Sequence, residues 1–511
     1  MSNLKYWEDK IKEKRKNTDF RKFIKEIASW SSLSFYKIDW NITRCPKSNR
    51  LKEVVIASKF DENEKPMKEY NFSLDFFTNY GNLFSENPFS AVIDLWWNEN
   101  TNYSDCTFNS KNVYLSNTTI WAQNVFYSLS TKMNSTNVFD SVVVWSNCEN
   151  IYSSTWIINS YNIFYSSFIN DSNNIWFSSN LTGCSECFWC NNLINKSYCI
   201  NNLEYSKEEY LKFKKDLLEK KDKYIDWYDT TSNTTWNNIW AVDSKWEYII
   251  NSQNVINGKY CFNINNWNNV LITWGDKDEI MFDSILTGSW VCSDFYWVIN
   301  SWPSCQNLYI CAHITLSSNL YYSYNCNNCS YCIWCVWLKN KSYCILNKQY
   351  TKEEYNDLAD KIFSQMEVDG TLWEFFPWEL NPFYFNDTMA YLLDDSFTKQ
   401  EVEKQWYMWR DAEIKVDIPE WVEVIKTTPP ARASLPPQLR GTEGEFVSDY
   451  QWYDSNGNWQ INPEILKKVI KDEKWNIYRI VQMEYDFLMK HWLPLPEIHW
   501  LDRIKMWFKF K

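Results

Sequence analysis

From Cys148 to Cys190 the chain reads CENIYSSTWIINSYNIFYSSFINDSNNIWFSSNLTGCSECFWC, and one spacing governs the whole stretch. The apolar residues Ile151, Ile163, Ile175 and Cys187 stand twelve apart. Three places before them come Cys148, Ser160, Ser172 and Cys184, and three places after come Ser154, Ser166, Ser178 and Cys190. Small or apolar residues every three positions, closing after twelve, fit neither the period of an α-helix nor the alternation of an ordinary strand. They fit a narrow parallel β-helix with a twelve-residue coil, four residues of each coil turned inward and an interior that admits only side chains such as Ser, Ala, Cys and Val.

The ladder extends in both directions. Its central column runs Val113, Val125, Val138, Ile151, Ile163, Ile175, Cys187 and Cys199, with steps of 12, 13, 13, 12, 12, 12 and 12. Eight such rungs span roughly 35–40 Å at the spacing of neighbouring strands. The period is similar to that of the small insect antifreeze β-helices, without their outward Thr-x-Thr ladder. A second array occupies about 252–347, with the column Val255, Val270, Ile280, Phe295, Leu308, Leu320, Cys332 and Cys344. Its early spacings of 15 and 10 predict loops or bulges between rungs.

The two arrays end on one phrase. CFWCNNLINKSYCINNLEYSKEEY (Cys187–Tyr210) and CIWCVWLKNKSYCILNKQYTKEEY (Cys332–Tyr355) share sixteen of twenty-four positions at an offset of 145. In each, the last rung leads into a capping box, Ser206 with Glu209 and Thr351 with Glu354, which starts a helix over the open end. The expected fold is mainly β with α: two narrow parallel β-helix solenoids with helical lids and a helical C-terminal region. The expected domains are an α-rich region (1–104), solenoid 1 (105–203), lid and linker (204–244), solenoid 2 (245–348), and a C-terminal region (349–511) with a Pro-rich linker near 427–446.

Composition narrows the function. The 511 residues carry a net charge of −12, which argues against a polyanion binder, so nucleic acid is not the expected partner. The basic stretch KIKEKRKNTDFRKFIKEI (10–27) reads as a solvated helix face. No signal peptide or membrane span is evident, which points to the cytoplasm and to sixteen cysteines held mostly as thiols or metal ligands rather than disulfides. Cys184, Cys187 and Cys190, and Cys326, Cys329, Cys332 and Cys335, have spacings that invite a metal reading. Their columns elsewhere hold Ser, Ala or Val, so they read as core filling, and no metal or cofactor is expected. There are 9 Gly and 32 Trp, against about 36 Gly expected for this length. Trp378, Trp459 and Trp492 stand in turn-like contexts that favour glycine. We read this as UGA codons that the source organism decodes as glycine, translated here as Trp.

Outward from the first ladder stand an Asn column (Asn112, Asn124, Asn137, Asn162) and an aromatic column (Tyr114, Phe126, Phe139, Phe164). Stacked amides hydrogen-bond to one another, and aligned aromatics make an apolar stripe that is either covered by the chain's own helices or docks a partner. These eight residues are the candidate binding site, for a protein partner or a second copy of the chain.

With its repeats, the lid KSYCILNKQYTKEEY and the later GTLWEFFPWELNPFYFND, the chain resembles the Cys-rich repeat proteins with flanking zinc ribbons of small-genome candidate-phyla bacteria, some of which carry a CaiB/BaiF label. The likeness covers about residues 99–496. Members of that family usually have glycine at the places of Trp189, Trp334, Trp373 and Trp406. Their terminal Cys-x2-Cys ribbons are missing here, where the N-terminal region keeps only Cys45. The resemblance leaves a nucleic-acid-associated role as the first alternative.

No P-loop, dinucleotide fingerprint, HExxH or nucleophile elbow occurs, and the three histidines, His313, His491 and His499, are far apart in sequence. DSNGNWQIN holds the first half of a calcium loop at Asp454, Asn456 and Asn458, but position twelve is Ile465, so it reads as a turn. The expectation is a non-enzymatic scaffold. A β-helix hydrolase or lyase, with carboxylates converging on a groove, is the second alternative.

Overall fold

The computed structural model describes residues 4–14, 19–34, 36–38, 41–43, 54–55, 66–90, 93–95, 97–101, 103–219, 241, 244, 249–274, 281–287, 293–301, 304–411, 418–426 and 461–507. Two parallel β-solenoids dominate them, forming sheets of 17 and 10 strands. In solenoid 1 the register runs Val125 to Val138, Ile151, Ile163, Ile175, Cys187 and Cys199, each residue stacked on the next in parallel.

Each coil is four triplets. The first residue faces inward and is buried, as at Val113, Ser116, Thr119 and Ala122. The second faces outward, and the third turns the chain in the left-handed region, with φ of +54° at Asn112, +45° at Leu115, +56° at Thr118 and +50° at Trp121. Asn tolerates that backbone better than other residues with a Cβ, which explains its abundance in the third place.

Inside, the serines are more than small. The amide of Ser141 donates to Ser128 Oγ (3.2 Å) and that of Ser154 to Ser141 Oγ (3.2 Å), while Ser128 Oγ donates to the Phe126 carbonyl (2.8 Å). The column thereby satisfies one buried amide per coil. Replacing Ser141 by Ala leaves the Ser154 amide unpaired, and urea unfolding is expected to show a loss of roughly 1–3 kcal/mol.

Solenoid 2 corrects one reading. Ile256 pairs with Asn268 and Gly258 with Val270, so Val255 is stacked under Trp267 and Val270 belongs to the adjacent column. A buried indole at an inward place disguised the twelve-residue step there. The looser spacing lies further on, where Val270 pairs with Ser284 and Ser284 with Val298. Ile280 lies outside the described residues. From Phe295 the column runs through Leu308, Leu320, Cys332 and Cys344 as the sequence predicts.

The helices are α1 (Leu4–Lys14), α2 (Phe20–Ile27), α3 (Phe76–Glu86), α4 (Lys207–Glu219), α5 (Lys352–Val368), α6 (Met389–Leu393), α7 (Lys399–Glu403), α8 (Gln482–Lys490) and α9 (Trp500–Met506). Helices α4 and α5 are the lids, and Tyr210 and Tyr355 plug them into the coil ends. Both capping boxes form: Ser206 Oγ and Thr351 Oγ1 accept the Glu209 and Glu354 amides (3.3 and 3.2 Å). Thr351→Ala is expected to cost about 1 kcal/mol in chemical unfolding. The C-terminal region is not purely helical. It also holds a three-stranded sheet of Val424–Lys426, Val469–Lys471 and Ile477–Tyr478. No helix of the described residues is long and apolar enough to cross a membrane.

Third-place residues join the solenoids face to face. Trp156 stacks on Tyr260 (5.9 Å, 17°), Thr118 Oγ1 donates to Asn300 Oδ1 (3.2 Å), and Cys106 Sγ lies 3.7 Å from His313 Nδ1.

Beyond Asn347, the described non-glycine residues with positive φ are all tryptophans: Trp373, Trp406, Trp475 and Trp492. Gly370 follows helix α5, with Thr371 N bonded to Met366 O and Gly370 N to Glu367 O. Trp406 after α7 and Trp492 after α8 repeat that bonding pattern, the Schellman motif whose left-handed residue is usually glycine. Trp475 ends the tight turn Asp472–Trp475 of a hairpin, at the left-handed bulge place. Trp378, in contrast, opens a 3-10 helix, and Trp459 lies outside the described residues.

Candidate functional site

The Asn column forms a continuous amide ladder. Asn100 donates to Asn112, Asn112 to Asn124, Asn124 to Asn137, Asn137 to Asn150, Asn150 to Asn162 and Asn162 to Asn174, at 2.8–3.0 Å. Asn174 ends it on the Glu186 carboxylate (3.0 Å). Each amide is anchored on the next coil, so the face is rigid and half-buried, with Lys111, Gln123, Glu149 and Tyr161 standing exposed beside it. Solenoid 2 repeats the arrangement at Asn307 and Asn319 (3.0 Å).

The aromatic column stands differently. Phe126, Phe139 and Phe164 are buried and Tyr114 half-buried, so this half of the expected site is not an exposed docking stripe. Helix α8 lies on it: Phe139 stacks on Phe487 (4.3 Å), and Phe164 packs on His491 (5.2 Å). The physical reason is area, since a run of aligned rings is too apolar to leave in water. The matching face of solenoid 2 is covered too, with Tyr321 against Phe363 of α5 (5.6 Å) and donating to Glu8 of α1 (2.5 Å).

A charge cluster sits beneath the solenoid 1 cover. Asp140, in the third place beside the aromatic column, pairs with Arg503 of α9, whose guanidinium is 3.7 Å from Glu484 of α8. Tyr127 donates to the other Glu484 oxygen (3.2 Å). All three charged groups are buried. Burial pushes the Asp140 carboxyl up to about 6 and the Glu484 carboxyl up to about 7, against the pull of Arg503. Burial opposes the Arg503 charge, but the two carboxylates outweigh it and keep the guanidinium protonated. His491 is driven down to about 4 by burial, aided by Lys490. Asp140 Oδ1, Glu484 Oε1, Arg503 Nε and His491 Nε2 are buried without a hydrogen bond. The sequence offered one signal for this cluster: Asp140 is the lone acid in a column that otherwise reads Leu115, Tyr127, Ser153, Tyr165 and Phe177.

The clustered cysteines face inward. Cys184, Cys187, Cys190, Cys329, Cys332 and Cys335 are buried thiols stacked in the coil columns, donating to backbone carbonyls at 3.3–3.5 Å. Among the described residues, no group of three or more His, Cys, Asp or Glu side chains is placed to hold a metal ion. The loop of Asp454, Asn456 and Asn458 lies outside them, as do Cys45 and the Pro-rich segment 427–446.

No family model, curated protein or solved structure matches the chain.

Proposed function

We propose that this chain is a non-enzymatic scaffold that recognises a protein partner, or a second copy of itself, through the Asn face of solenoid 1. One observation carries the reading: the aromatic face is roofed by the protein's own helices, while the Asn face keeps Lys111, Gln123, Glu149 and Tyr161 in water beside an amide ladder. A flat, repeating, pre-ordered surface loses little entropy on binding, and repeat folds characteristically present such surfaces. The test replaces Gln123 and Tyr161 together by Arg, outside the ladder. Sedimentation velocity and quantitative affinity capture are expected to show association weakened about tenfold or more with the circular dichroism spectrum unchanged. Association that survives in the folded variant removes the assignment.

We also propose that the natural polypeptide carries glycine at Trp189, Trp334, Trp373, Trp406, Trp475 and Trp492. Trp189, Trp334, Trp373 and Trp406, where the resembled family usually has glycine, all have φ between +54° and +63°. An indole-bearing residue is among the least suited to that region. Peptide masses from material made in the source organism decide the matter. Tryptophan masses at Trp406, Trp475 and Trp492 would end it.

A further inference from the structure

The roof over the aromatic face of solenoid 1 is held by apolar contacts and by one buried charge cluster. Its ring contacts are Phe139 and Tyr152 on Phe487 and Tyr127 on Trp500. Its polar contacts converge on one place, where two carboxylates meet a single guanidinium. From solenoid 1 the groups facing this place are Asp140, Tyr127 and Tyr152, with Tyr114 beside them; from α8 they are Glu484, with Lys490 and His491 further along; from the start of α9 they are His499 and Arg503. With both carboxylates ionised the pocket holds one buried negative charge in excess. Four of its polar atoms already lack hydrogen bonds. A half-satisfied buried ion cluster contributes little stability and punishes any further charge.

We infer that α8 and α9 are a proton-controlled cover on the aromatic face: seated while the Asp140–Glu484 pair keeps a proton, and loosened when both acids ionise. Loosening bares the stripe of Phe126, Phe139, Tyr152, Phe164 and Trp176. The latch does not depend on the Asn face being a recognition surface, so either idea can fail alone.

The direction follows from proton counting. Off the solenoid both carboxyls sit in water and ionise near the ordinary value of about 4. Seated, the pair holds a proton up to about 7. Between about 4 and 7 the seated state therefore binds more protons than the open state, and seating weakens as pH rises through about 7. His491 and His499 act in the opposite sense between about 4 and 6.5, where they charge in water but resist charging under the roof.

Hydrogen exchange on the full chain tests this, with rates corrected for the intrinsic effect of pH. Protection of the α8 and α9 amides is expected to fall about tenfold between pH 6 and pH 8, while amides of the solenoid 1 coils hold theirs. Glu484→Gln, which removes the excess charge, is expected to keep α8 protected at both pH values. Arg503→Met, which strips the acids of their cation, is expected to expose α8 at pH 8 with the coils still protected. Protection of α8 in the natural chain that ignores pH, or a pH response that persists in Glu484→Gln, overturns the latch. So does loss of coil protection in step with α8, because the roof would then be part of one cooperative structure.

Discussion

Replacing Ile163 by Asp is expected to break solenoid 1, seen as loss of the far-ultraviolet β signal and of the urea transition belonging to that array. Ile163 is fully buried in the central column, in register between Ile151 and Ile175. Removing a buried aliphatic side chain costs about 2–5 kcal/mol. An uncompensated buried carboxylate adds about 3–5 kcal/mol more. The sum approaches the whole stability of an ordinary domain, about 5–15 kcal/mol. Coils in a solenoid lean only on their neighbours, so a broken rung removes support from both sides. Tyr161 is the natural control. Two residues away and 49% exposed on the Asn face, it is expected to accept Asp within about 0.5 kcal/mol. An Ile163→Asp protein with the wild-type spectrum and midpoint would show that the column does not line the interior.

That contrast also explains what was legible in the sequence. Inward places admit few residue types, so Val138, Ile163 and Cys332 announced the coil, and the two capping boxes announced the lids. The legible signal failed where a large residue took an inward place: Trp267 hid the rung that Val255 supports. The Asn ladder was readable because its chemistry is local, each amide answering the next coil. The roof was not. Helices α8 and α9 are nine and seven residues long, and nothing within them says which face of a distant solenoid they cover. Phe487 and Phe139 meet across 348 positions of sequence, a contact fixed only by the assembled surface. The aromatic column thus gave its apolar character and its need for a cover, but not which helices supply that cover, since this depends on the whole chain.

Replacing Trp406, Trp475 and Trp492 by glycine is expected to stabilise the protein, an unusual result for removing three large apolar side chains. Each has left-handed backbone, with φ of +63°, +69° and +56°. Such a conformation costs a residue with a Cβ about 1–2 kcal/mol. Glycine avoids that cost but gives back about 0.5–1 kcal/mol through its freer unfolded chain. Little packing is lost, because the three indoles are 67%, 66% and 58% exposed. Trp475 forfeits its contact with Lys471, whose ammonium lies 3.7 Å from the ring, so it should gain least. The net gain is about 0.5–1 kcal/mol at Trp406 and Trp492, and about 2 kcal/mol for the triple variant, read from urea unfolding. Trp421 separates this cause from a general benefit of shedding surface indoles. It is 83% exposed but is not among the left-handed residues, so Trp421→Gly is expected to be neutral or slightly destabilising. Equal gains at Trp421 and Trp406 would trace the effect to hydrophobic exposure. A gain confined to the three left-handed sites would mark them as positions whose backbone requires glycine.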